Sequence, residues 1–228
     1  MHVTLICKLF SKIYISKNHL KIQSDKENLF RLLSGIEKDC HYPLLFLSNS
    51  YTYKAKLNAS SSIPYIIIVY HSWYSHLVAY GNQEDTINAF VHTLGHELGH
   101  KHWDSKESFH YRYHNLVERQ YINWCRELHH DYYGSYLMGG ESKRKRENLI
   151  KSHQYKQYYN TEFIHRMDED TISHPSRCRR IQYIANYDFT YDLLRQIAVD
   201  VGLIQDSAEG NHKLIEQVSD YYDEIILT

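Results

Sequence analysis

Residues 86–104 read TINAFVHTLGHELGHKHWD, and the reading of the whole chain turns on the five residues His96-Glu97-Leu98-Gly99-His100 inside them. Each residue of an α-helix advances by about 100°, so histidines four apart lie about 40° from one another around the helix. Both imidazoles can therefore reach one ion from one face. Glu97 follows the first histidine, and its carboxylate lies to one side of that ion, placed to take a proton from a coordinated water. Ile87, Phe90, Val91, Leu94 and Leu98 recur at helical spacing and cluster on the face opposite His96 and His100. The pattern predicts a helix from about Asp85 to His102, with Asp85 or Thr86 capping its start. Gly95 and Gly99 should each cost about 1 kcal/mol in a helix interior. Two glycines four apart therefore point to a second backbone packed close by. His92, one turn before His96, reads as a rim residue.

The spacing is the H-E-x-x-H pattern of zinc metalloproteases. In a chain with 17 histidines five residues can match by chance, so the remaining sequence has to supply the rest of a site. At 228 residues the chain suits a single domain, 1–228, able to bury a sizeable core. Within it, 1–81 is mainly sheet-forming, 82–187 carries the metal-site helices and 188–228 the C-terminal helices. The net charge of -1 gives no global pull toward nucleic acid or a membrane surface. Cys7, Cys40, Cys125 and Cys178 form no C-x-x-C pair, which fits a reducing compartment. Lysines interrupt the first residues, which lack a signal-peptide core, and no run approaches the roughly 18 apolar residues of a membrane span. These features predict a soluble, cytoplasmic protein.

Residues 1–24 alternate in places like a hairpin, and Asp25 to Lys38 carries a helical apolar stripe. Tyr42–Leu47, Tyr51–Leu57 and Ile63–Tyr70 read as strands, separated at Asn58–Ser62 by a polar break; His71–Gly81 reads as an aromatic connection. After the motif helix, His110–Met138 reads as one long helix. Residues 141–170 are polar and contain Lys143-Arg144-Lys145-Arg146, a solvated helix or flexible loop in preference to a nucleic-acid patch. His174-Pro175 opens another helix, and Thr190–Val201 and Asn211–Ile226 follow as two more.

A catalytic zinc has three protein ligands and an open position. Trp103 and Lys106 stand where the metzincin continuation needs glycine and histidine, which excludes that class. The next candidate is Glu127, with Asp131 one turn later placed to accept the N–H of a ligating histidine. His114, His129 and His130 are rival donors, and Asp131 itself is a further alternative.

HELGH at 96–100, then Glu127-x-x-x-Asp131-x-x-Gly134, then His174-Pro175 leading to Arg180-Ile181, resemble the gluzincin peptidases of the HtpX and CaaX prenyl-protease type over about residues 63–187. The resemblance implies an α+β, zincin-like fold: a small N-terminal β-sheet packed on the H-E-x-x-H helix, followed by a mostly helical C-terminal part. It implies one Zn2+ per chain held by His96, His100 and Glu127, with Glu97 as general base. It also implies that Asp131 stands behind the ligands, that Arg180 pairs with Asp131, and that His174 approaches the substrate carbonyl oxygen. His130 replaces the family's alanine, and the membrane helices of its membrane-bound members are missing. The expected activity is zinc-dependent hydrolysis of peptide bonds by a zinc-bound water that Glu97 activates, on a peptide or protein substrate, with no nucleic-acid partner. The alternatives are a zinc hydrolase of a non-peptide amide and a zinc-binding regulatory or interaction module without turnover.

Overall fold

The computed structural model describes residues 44–47, 57, 59–63, 66–80, 83–105, 115–138, 142–159, 169–204 and 212–226. The expected hairpin at 1–24 and helix at 25–38, Cys7, Cys40 and His114 lie outside these residues. Three short strands come first: β1 (Leu44–Leu47), β2 (Ala59–Ile63) and β3 (Ile66–Tyr70). β3 is central, parallel to β1 with Leu44 opposite Ile67, and antiparallel to β2 with Ala59 opposite Val69. Seven helices follow among the described residues: α1 (His71–Tyr80), α2 (Glu84–Ser105), α3 (Leu116–Met138), α4 (Ser142–Tyr159), α5 (Arg177–Asn186), α6 (Tyr191–Asp200) and α7 (His212–Ile226).

This corrects the expected α+β class. The described residues are predominantly helical, and their main buried cluster is drawn from helices. Tyr121, Trp124 and Leu128 of α3 pack with Leu149 of α4, Ile184 of α5, Leu194 and Ile197 of α6, and Ile215 of α7. Each such buried side chain contributes about 1.5–3 kcal/mol, so packing between these helices is a large share of the stabilising burial. The physical reason is length: three strands of four or five residues stand beside helices of up to 23 residues. Two segments also change type. The aromatic stretch expected as a connection is α1, anchored by fully buried Trp73 against Phe90 of α2. The expected polar break is β2, where the register to β3 shifts between Ser60 and Ile63.

α2 is the axis of the fold. Phe90, Val91, Leu94 and Leu98 are buried, but so are Thr86, Ala89, His92, Thr93 and Glu97 around the rest of the helix. A helix buried on all sides needs neighbours on all sides, and α1, α3, α4, β2 and β3 all pack on it. Thr86 does not cap the helix start; its hydroxyl lies 2.7 Å from that of Tyr155 on α4.

α2 and α3 meet backbone to backbone. A Cβ added at Gly99 would lie 2.9 Å from His130 Cα. One added at Gly134 would lie 3.0 Å from the His92 carbonyl oxygen and 3.1 Å from the His96 amide nitrogen. Gly99→Ala is therefore expected to destabilise the protein by about 1–3 kcal/mol through overpacking, despite the better helix propensity of alanine. Chemical denaturation of the two proteins checks it, and an unchanged or raised midpoint would refute the close crossing.

α5 and α6 have defined ends. Ser176 is the N-cap of α5 and accepts the Arg179 N–H at 3.3 Å, so the helix opens two residues later than His174-Pro175 suggests. α6 closes at Gly202, whose φ of 76° suits a residue without a Cβ. There the Leu203 N–H donates to the Ala198 carbonyl at 2.8 Å and the Gly202 N–H to that of Val199 at 2.9 Å, a Schellman end.

Candidate metal centre

The close α2–α3 crossing brings the sequence-predicted residues together. His96 and His100 stand one turn apart on α2, and Glu127 faces them from α3. Glu127 Oε2 lies 3.5 Å from His96 Nε2, and Oε1 lies 3.7 Å from His100 Nε2. Two donors about 2.0–2.1 Å from one tetrahedral zinc lie about 3.4 Å apart, so the spacing matches. Glu127 is buried, and its Oε2 makes no hydrogen bond. That oxygen lies 3.5 Å from both His96 Nε2 and Arg180 Nη1, contacts too long to satisfy it, and a buried carboxylate oxygen left so suits a cation. The donor set of two nitrogens and one oxygen suits zinc.

His130 joins this set. One donor atom from each of His96, His100, Glu127 and His130 lies within 4.8 Å of the others. His129, the neighbouring rival, is buried on another side of α3, its ring 5.6 Å from that of Phe189. Glu97 is buried beside His96 and is not one of the four converging residues. His174 is more than half exposed, and its Nε2 lies 3.5 Å from Glu127 Oε1 at the open side of the site.

Behind the ligands sits Asp131, fully buried. Arg180 of α5 grips it with two bonds, Nε donating to Oδ2 at 2.7 Å and Nη2 to Oδ1 at 2.6 Å. The His96 Nδ1–H donates to Oδ1 at 2.9 Å, which turns the Nε2 of the same ring toward Glu127. His92 Nε2 donates to Oδ1 at 3.2 Å, and His153 Nε2 of α4 lies 3.2 Å from Oδ2. Four helices thus converge on one carboxylate.

The electrostatics follow from this packing. Burial opposes charge on His96, but contacts with the Asp131 and Glu127 carboxylates outweigh it and push the ring up to about 9. Burial opposes charge on Glu127 too, yet His96 and Arg180 hold its carboxyl at about 2. His100 goes the other way, to about 3, through burial and the charge of His96. Burial also lowers His153, to about 3, and His92. Neutral His92 and His153 can each present a ring N–H to Asp131 without adding charge.

Sequence reasoning missed one of these residues and misplaced another. His92 is fully buried and bonded to Asp131, not at a rim. His153 lies in the stretch expected to be solvated, but Leu149, Ser152 and His153 are buried at helical spacing, and only Leu149 of these is apolar. His130 was one rival donor among several, and its place depends on Gly99. Comparison with known protein families, curated proteins and solved structures finds no match to this chain.

Proposed function

We propose that the chain is a zinc-dependent metallopeptidase of the gluzincin type, hydrolysing peptide bonds with zinc held by His96, His100 and Glu127. One observation carries the reading: donors from one turn of α2 and from α3 converge within 4.8 Å, and Glu97, which follows His96 in the chain, is buried. The two helices place them by a backbone approach that leaves no room for a Cβ at Gly99. Zinc bound there supplies Lewis acidity, acidifying water and polarising a carbonyl. Glu97 takes the proton of the attacking water and passes it to the leaving amine. Asp131 and Arg180 hold the His96 ring in its orientation. His174, on the open side, donates a hydrogen bond to the carbonyl oxygen as charge develops on it. No described helix is long and apolar enough to cross a membrane, and the substrate class proposed is a peptide or protein.

A zinc-binding module without turnover is the second reading. The observation in its favour is the fourth residue of the cluster, since a closed donor set marks structural zinc. Elemental analysis of purified protein beside a fluorescent casein assay separates the two. The peptidase reading expects about one zinc per chain and chelator-sensitive cleavage. Glu127→Ala is expected to weaken zinc binding by about a hundredfold or more, since the roughly 10–16 kcal/mol of a four-ligand zinc site is about 3 kcal/mol per ligand. Stoichiometric zinc with no cleavage of any peptide supports the module. Zinc held equally by Glu127→Ala would overturn this ligand set.

A further inference from the structure

The chain departs from the three-ligand pattern at His130, where the resemblance expects an alanine. His130 is on α3 three residues after Glu127, so both side chains leave the helix on one face. It is fully buried, and its ring packs against those of His100 and His96, with centroids 3.8 Å and 5.4 Å away. Its donor atom falls within the same 4.8 Å as those of His96, His100 and Glu127. The room for this ring comes from α2. A Cβ at Gly99 would sit 3.1 Å from both Cβ and Cδ2 of His130, so a side chain at 99 would crowd the imidazole where it lies. The glycine within the H-E-x-x-H stretch and the histidine within the second motif thus fit one another.

We propose that His130 is a fourth protein ligand of the metal, completing a shell of three imidazoles and one carboxylate. The proposal rests on the metal site of the preceding reading and changes what that site does. Four protein donors fill a tetrahedral shell. Water or a substrate oxygen therefore enters as a fifth donor or in exchange for His130. His130 then governs access to the metal from a fully buried position between two packed helices, whereas His174 is exposed.

The test is X-ray absorption at the zinc edge on the zinc-loaded full chain, which counts imidazole ligands independently of turnover. Three imidazoles are expected in the wild type, three in His174→Ala and two in His130→Gln. The isosteric glutamine fills most of the space of the ring, and His130→Ala provides a second variant. The His130→Gln zinc dissociation constant should rise by about a hundredfold, the share of one ligand in four. Two imidazoles in the wild type, or three remaining in the His130 variants, would overturn the fourth ligand. A site with two imidazoles and the Glu127 carboxylate leaves the peptidase reading in place. A wild-type chain that binds no zinc overturns both.

Discussion

Asp131→Asn is expected to destabilise the metal-free protein by about 3–5 kcal/mol, the cost of leaving a buried charge without its partner. The substitution keeps the shape and removes the charge. Arg180, its side chain only 13% exposed, would then face a neutral amide at the centre of four helices. An amide also donates through one of its two ends, so it cannot accept from the Arg180 fork and the His96 and His92 rings together. Against a typical total of about 5–15 kcal/mol, the loss is a large fraction of the stability. Urea denaturation of chelated samples measures it, and a loss below about 1 kcal/mol would show that Asp131 is not the hub of the packing. Adding Arg180→Met to Asp131→Asn should recover part of the loss, because the guanidinium that lost its two-bond partner is gone, although Glu127 then loses its 3.5 Å contact with Arg180. The wild type carries a matching pH signature. Burial would raise the Asp131 carboxyl, but Arg180, His153 and His92 hold it well below the ordinary carboxylate range. The native pKa is thus depressed, so the contribution is fully present above the unfolded value of about 3.9. It is lost as pH falls from there through the native pKa. Asp131→Asn should flatten that acid limb. It should also weaken zinc binding about 10–100-fold, by freeing the His96 ring that it orients.

The limits of the sequence reading have physical causes. α2 was legible because a long apolar period and a chemical motif coincide in 86–104. The period marks an apolar stripe, however, and cannot tell a surface helix from an axial one. Burial of His92 and Thr93 is set by α3 and α4, which lie at a distance in sequence. α4 reads as solvated because it opens with Lys143-Arg144-Lys145-Arg146, and two of its buried residues, Ser152 and His153, are polar. β1 and β3 were legible as apolar runs, but such runs say nothing of how far helices outweigh them. β2, with three serines, carries no alternation at all. Glu127 and Asp131 follow from helical register. That His130 belongs with them depends on the missing side chain of Gly99, a contact between helices that no local pattern encodes. Arg180 could be chosen over Arg177 and Arg179 only through the resemblance. In the fold Arg179 is held by Asp170 and Asp200 on the outside of α5, and Arg180 turns inward to Asp131.

Glu97→Gln is expected to leave zinc bound and to lower chelator-sensitive peptide cleavage by about 10²–10⁴-fold, the usual share of a general base. Glutamine keeps the volume of the buried side chain and removes only the ability to accept a proton. Glu97 is outside the converging donor set, so zinc stoichiometry should not change. That separates this variant from Glu127→Ala, which should lose metal and activity together. The comparison requires kcat/KM and zinc content on the same samples. Equal loss in kcat and in kcat/KM would mark an interaction made in the transition state, whereas a rise in KM alone would mark simple substrate binding. A folded, zinc-loaded Glu97→Gln protein that retains turnover within tenfold of the wild type would sink the general-base role, because the proton would then be leaving by another route. Loss of zinc from that variant would instead place Glu97 among the groups that hold the metal site together.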